Sequence, residues 1–278
     1  MLAEGMRRGE RLIGMHFFNP AQRMPLVEII RRETTAKAVL ATALGFAKGT
    51  GKTAVVVRNR EGFLVNRLFI PYLKEAFWLL EDGATAAEID GAMVEFGFAM
   101  GPLALVDMAG LDILVRTDLV MARAFPRHGG ISAIAAELVQ QGHLGQKTAS
   151  GVYRYETGDY TPRQSEVAER IIGEVRRGRA GSAGTVSSGG RIGQDEITQR
   201  LVLRMVAEGF CVLEEGIVQR RSDIDAAMVL GTGFPDFRGG VLRYAEDLGL
   251  GRVVGRLERL AERHGQRFAP CRLLRESS

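Results

Sequence analysis

The sequence predicts an α/β start, the last strands of a sheet, followed by two mainly α-helical domains that duplicate one another. Three observations carry this reading. Residues 11–59 run strand, strand, helix, strand. From Phe63 onward strand signals fade and apolar residues recur at helical spacing. Two helical stretches offset by 133 residues then match at polar as well as apolar positions.

RLIGMHFF (11–18) is an apolar strand ending at the turn Asn19-Pro20, and LVEII (26–30) is a second strand. Thr34 is placed to N-cap a helix reaching about Lys48, with Leu40, Leu44 and Ala47 on one face. TAVVVRN (53–59) is a third strand, bounded by Gly51 and Gly62. This succession is the texture of the end of an α/β sheet. Apolar residues at i, i+3 and i+4 mark helices over 64–82, 86–97, 111–124 and 131–141. VYRY follows Gly151, a helix covers about 163–177, and the Gly/Ser-rich RAGSAGTVSSGGR (179–191) reads as a flexible linker. A further helical block spans 194–276. The expected domains are 1–61, 62–156, a helix and linker over 157–192, and 193–278.

The duplication rests on NRLFIPYLKEAFWLLEDG (66–83) against QRLVLRMVAEGFCVLEEG (199–216). It continues, after a two-residue insertion, with EIDGAMVEFGF (88–98) against DIDAAMVLGTGF (223–234). Shared periodicity would match apolar positions only. Here Arg67/Arg200, Glu75/Glu208, Glu81/Glu214, Gly83/Gly216 and Asp90/Asp225 match as well.

With 46% apolar and 25% charged residues, the chain can build a sizeable core. A net charge of +4 invites a nucleic-acid reading. However, the arginines alternate with acids along the helices, as in Glu166–Arg177 and Arg252–Arg267, which points to a solvated mixed-sign face. No nucleic-acid partner is expected. The apolar runs are too short to span a membrane, so no membrane insertion is expected. MLAEGMRRGERL shows no signal-peptide core, so a cytoplasmic location is expected. Cys211 and Cys271 cannot form a disulfide framework, and no Cys/His cluster suggests a metal site.

GTGKTA (49–54) imitates a P-loop and a dinucleotide-binding turn at once. The P-loop would need glycine where Phe46 stands. Both motifs also need a strand before and a helix after, whereas here the order is reversed. The stretch therefore reads as a helix C-terminal turn, with Gly49 or Gly51 left-handed. No other segment fits a dinucleotide fingerprint.

His16 sits at the end of an apolar strand, and Glu28 lies inside another. An unpaired carboxylate would be costly to bury there. If the strands are neighbours, Glu28 can accept a hydrogen bond from His16, fixing its tautomer and leaving the other nitrogen as a general base. A salt bridge from Glu28 to Arg23, Arg31 or Arg32 is the alternative, and spacing alone leaves both open. Asn66, at the start of the first helical block, can donate to a carbonyl or developing oxyanion. It can equally be a solvated amide. Its counterpart in the second copy is Gln199.

GMHFFNPAQRMPLVEII, GKTAVVVRNREGFLVNRL, HLGQKTASGVYRY and VLGTGFPDFRGGVLRYAEDLG together closely resemble the 3-hydroxyacyl-CoA dehydrogenases. The resemblance covers essentially the whole chain. It is strongest to the dehydrogenase part of the multifunctional fatty-acid oxidation proteins. It implies a Rossmann-type first domain and NAD-linked oxidation of (S)-3-hydroxyacyl-CoA to 3-ketoacyl-CoA in β-oxidation. It further implies that His16 deprotonates the hydroxyl, Glu28 orients it, Asn66 contacts substrate and Asn19 lies beside the nicotinamide. The substrate would be an acyl-CoA, and the partner a thiolase subunit or a complementary amino-terminal half. The family's glycine turn, acidic ribose ligand and catalytic serine find no counterpart here. The chain is therefore expected to hold only a remnant of the NAD-binding domain, lacking its N-terminal half, with an exposed sheet edge and an unshielded apolar face. A 3-hydroxybutyryl-CoA dehydrogenase and a non-catalytic scaffold are the alternative readings. The duplication weighs mildly against the former.

Overall fold

The computed structural model describes residues 5–183 and 192–278, without the side chains of 180–183. The first elements are β1 (Gly14–Phe17), β2 (Leu26–Arg31), α1 (Lys37–Gly49) and β3 (Thr53–Arg58). Next come α2 (Val65–Asp82), α3 (Ala86–Phe96), α4 (Pro102–Ala109), α5 (Leu111–Ala124) and α6 (Ala133–Gln140). The hairpin β4 (Arg154–Glu156) and β5 (Asp159–Arg163) leads into α7 (Glu166–Ala183). The last helices are α8 (Gln194–Glu214), α9 (Arg221–Thr232), α10 (Val241–Leu248), α11 (Leu250–His264) and α12 (Arg272–Glu276). The chain divides into two compact units, one of residues 1–68, 206–258 and 270–278, the other of 69–205 and 259–269.

In the first unit the sheet order is β1-β2-β3, with β1 antiparallel and β3 parallel to β2. A parallel neighbour needs a crossover, which α1 supplies. Its Leu40, Ala43 and Ala47 pack on Val27 and Ile29. The expected stripe through Leu44 is thereby corrected: Leu44 is exposed, because the i, i+3, i+7 positions 40, 43 and 47 are the ones facing β2. The expected Thr34 cap is corrected too. The helix begins at Lys37 with Ala36 before it and no side-chain cap. The neighbouring hydroxyl of Thr35 is used to tie loops, accepting from Arg32 N (3.0 Å) and donating to Leu12 O (3.3 Å). Gly51, at φ 69°, makes the left-handed turn that ends α1.

Leu26 to Ile30 are all buried, so β2 is covered on both faces. The unshielded face expected of these strands is not found on β2, because α9 lies against it. Gly231 permits this approach: a Cβ there would stand 2.8 Å from Leu26 Cδ2, 3.3 Å from Val65 and 3.6 Å from Phe18.

In the second unit α2 to α6 match the periodic segments, apart from α4, which periodicity misses. PLALVDMA is apolar almost all round and short, so it shows no stripe. The strand β5 is likewise unannounced. The expected linker is helical up to Ala183, because alanine and arginine between its glycines let α7 continue; the rest of it, 184–191, lies outside the described residues. Along α7 the alternating charges include the i,i+4 pair Arg170–Glu174 (3.1 Å). Among the described residues no helix is long and apolar enough to cross a membrane.

Two devices occur in both units. Asp90 accepts from Leu103 N (2.8 Å) and Ala104 N (3.0 Å) at the start of α4, and from the Tyr153 hydroxyl. Asp225 accepts from Leu242 N (2.7 Å) and Arg243 N (3.4 Å) at the start of α10. Burial pushes Asp90 up to about 6 against those hydrogen bonds, and raises Asp225 as well. The second device is a buried ion pair. Arg67 meets Glu208 (2.9 Å) and Glu215 (2.7 Å) in the first unit; Arg200 meets Glu75 (2.6 Å) and Asp82 (2.8 Å) in the second. Arg67, Glu208, Arg200 and Glu75 are fully buried.

Candidate active site

The register of the first sheet sets His16 directly opposite Glu28. Directly opposed residues share a face, and His16 Nδ1 lies 2.6 Å from Glu28 Oε2. The other carboxyl oxygen accepts from the amides of Leu64 (3.0 Å) and Val65 (2.9 Å). These amides are the open N–H groups at the start of α2, where the helix dipole favours an anion. A fully buried carboxyl group thus has three hydrogen bonds, which offset its desolvation. This settles the choice that spacing leaves open: Glu28 pairs with His16. Arg31 and Arg32 instead line a surface depression of about 310 Å³ with Arg58 and Asn59, and Arg23 is exposed.

The imidazole is partly open to solvent, and Nε2 has no hydrogen bond to any described residue. Phe18 and Phe63 flank it at ring-centroid distances of 4.7 and 5.6 Å. Phe63 sits at φ 47°, directly after Gly62 at φ 74°. A left-handed bulky residue costs about 1–3 kcal/mol, and here it accompanies the sharp entry that aims the first amides of α2 at Glu28. The dyad can therefore hold one tautomer and take a proton at Nε2.

Asn66 follows Val65 in α2 and is partly exposed. Asn19 is exposed just after β1, before a cis Asn19-Pro20 bond. Neither side chain hydrogen-bonds to another described residue. The structure thus brings His16 and Glu28 together and sets Asn66 on the turn that anchors Glu28, while the Asn19 side chain makes no hydrogen bond to any of the three. Sequence reading missed the Leu64 and Val65 amides, because backbone groups carry no residue signature. It also missed Phe18, Phe63 and Gly231 as supports of the ring. The identity of Arg67/Arg200 and Glu75/Glu208 was the available signal for the ion pairs.

Residues 62–155 and 197–277 match the family model described as 3-hydroxyacyl-CoA dehydrogenase, C-terminal domain. Residues 1–60 match its NAD binding domain. The second match corrects the expectation that the NAD-binding half is lacking. The domain is present, and its cofactor is NAD. A glycine turn is only one local part of such a domain; the strands carrying His16 and Glu28, with α1 and β3, belong to it as well. Among solved structures, the 3-hydroxybutyryl-CoA dehydrogenase of Escherichia coli K12 is 27% identical over 99% of this chain and 72% of its own, with a TM-score of 0.81. The dehydrogenase part of multifunctional enzyme 1 from C. elegans is 26% identical over 100% of this chain and 62% of its own, with a TM-score of 0.69. The (S)-3-hydroxybutyryl-CoA dehydrogenase of Ralstonia eutropha is 41% identical over 56% of each chain, with a TM-score of 0.54. The chain belongs to the 3-hydroxyacyl-CoA dehydrogenase family, NAD-dependent oxidoreductases.

Proposed function

We propose that this site serves the oxidation of (S)-3-hydroxyacyl-CoA to 3-ketoacyl-CoA. The observation that carries the reading is His16 held at 2.6 Å by a Glu28 that is itself anchored on the first amides of α2. His16 Nε2 takes the proton of the 3-hydroxyl, and Glu28 holds the ring and favours the imidazolium that forms. Asn66 donates to the substrate oxygen as it becomes a carbonyl. NAD, when bound, accepts the hydride from the same carbon. Asn19 fits the nicotinamide end of that cofactor, since its amide is exposed and uncommitted to other described groups.

A shorter substrate, 3-hydroxybutyryl-CoA, is a second reading. Its support is the likeness over 99% of this chain to an enzyme of that name, which removes the weight the helical duplication put against it. The duplication itself is proposed from the double match of one family model and from the recurring ion pairs and capping aspartates. A role in β-oxidation, a cytoplasmic location, and a thiolase subunit as partner follow from the same reading.

The test is NADH formation from (S)-3-hydroxyacyl-CoA substrates of graded length, by wild type and His16→Ala. Wild type is expected to exceed His16→Ala. Equal rates with every substrate would remove the catalytic assignment and leave a scaffold.

A further inference from the structure

Pairing of Glu28 with His16 leaves Arg31 and Arg32 without that carboxylate, and neither guanidinium meets another among the described residues. Arg31 ends β2 and stands in register with Arg58, the last residue of the parallel strand β3. Neighbouring strands run about 4.8 Å apart, so two like charges are held side by side, which is unfavourable until an anion answers them. Glu33 pairs with Arg58 and answers one charge. The backbone here is tied down: Asn59 N donates to Arg31 O at 3.0 Å, and Arg32 N to Thr35 Oγ1 at 3.0 Å. The result is the depression of about 310 Å³, lined by Arg31, Arg32, Glu33, Thr34, Arg58 and Asn59 and sharing no residue with the His16 site. It lies at the carboxyl ends of two parallel strands, where open α/β sheets bind their ligands.

We propose that this depression binds a terminal phosphate group as its dianion. Three arginines against one glutamate leave a charge of +2, which a phosphate dianion neutralises. A guanidinium presents two parallel N–H donors to two phosphate oxygens, which an ammonium does not. Arg31 and Arg32 supply such forks. The exposed Asn59 amide and Thr34 hydroxyl, which bond to no described residue, can donate to the remaining oxygens. A carboxylate would answer only half the charge and bring only two oxygens. The volume is at the small end of ligand sites, so the depression takes the phosphate and little of what carries it. Two sources share this chemistry. One is the 3′-phosphate of coenzyme A, which rests on the proposed acyl-CoA substrate; the other is free inorganic phosphate, which does not.

The experiment is calorimetric titration of the full chain at low salt with inorganic phosphate, coenzyme A and dephospho-coenzyme A. Wild type is compared with Arg31→Ala/Arg32→Ala and with Arg252→Ala, an exposed arginine of α11 outside the depression. Phosphate affinity is expected to fall roughly tenfold or more in the double variant and to stay within about twofold in Arg252→Ala. Arg31→Lys/Arg32→Lys, which keeps the charge and the fold but not the forks, should bind phosphate with intermediate affinity. Coenzyme A binding more tightly than dephospho-coenzyme A, with that preference lost in the double variant, makes the substrate's phosphate the occupant. Equal binding of the two, with inorganic phosphate still lost in the double variant, makes free phosphate the occupant. No phosphate binding by wild type, or the same affinity in wild type and both double variants, overturns the proposal. Binding requires no turnover, so this result is independent of whether His16→Ala loses oxidation.

Discussion

The helices α2 and α8 carry aligned residues but begin at different places. In α2 the helix starts at Val65, so the amides of Leu64 and Val65 are open and both point at Glu28. In α8 the helix starts at Gln194, well before the aligned positions, and the Ile197 amide is already bonded to Gly193 O at 3.1 Å. Asn66 therefore lies in an open first turn, while Gln199 lies inside a continuing helix. A helix terminus can hold a buried carboxylate because its N–H groups have no other partner; a helix interior cannot. The two stretches share their deeper ion pairs, Arg67–Glu208 and Arg200–Glu75. One difference in where a helix begins separates the stretch whose amides hold a buried carboxylate from the one whose amides are already bonded within the helix.

The largest test of that contrast is kinetic. His16→Ala should lower kcat of hydroxyacyl-CoA oxidation by roughly 10²–10⁴-fold, whereas Gln199→Ala should leave it within about twofold, as NADH formation would show. Loss of activity in Gln199→Ala, with stability unchanged, would break the assignment of the chemistry to the first stretch.

Arg67→Ala and Arg200→Ala probe what the stretches share. Each breaks a buried ion pair, which costs up to about 3–5 kcal/mol. Denaturant midpoints should fall in both variants, and less in Arg200→Ala, because Glu75 keeps Arg267 at 2.8 Å. A larger fall in Arg200→Ala than in Arg67→Ala would contradict that order.

The capping aspartates sharpen the comparison through pH. Asp90 has its folded value raised from 3.8 to about 6, so the folded state binds the extra proton between those values. Its contribution is fully present below about 3.8 and is lost as pH rises through about 6. Thermal stability of wild type relative to Asp90→Asn should therefore improve on moving from pH 7.5 to pH 4.5. The change is at most about 3 kcal/mol for a displacement of about two units. Asp225→Asn should show the same sign. A relative loss for wild type on acidification would contradict the burial that raises these carboxyls.

Gly231→Ala tests the α9 contact at the smallest scale. Its methyl would crowd Leu26 at 2.8 Å, costing about 1–3 kcal/mol in stability. Because Phe18 is also in reach, the substitution should weaken His16 activity by more than a distant destabilising change of equal size. Equal stability and unchanged rate would mean that α9 has room to move.

By itself the sequence determined the strand, strand, helix, strand start, most of the later helices, and His16 and Glu28 as candidates. Those follow from local rules: apolar period, glycine turns, and the rarity of a glutamate inside an apolar strand. Its reading of α1 erred by one position around the helix, and α4 escaped because an apolar octet has no polar side to contrast. Only the tertiary structure decided that Glu28 faces His16 rather than an arginine, since register is a property of two strands. It also decided that α2 begins where its amides meet Glu28 and that Gly231 admits α9 onto β2. Each of these joins residues far apart in the chain, and no local period or propensity records such a meeting.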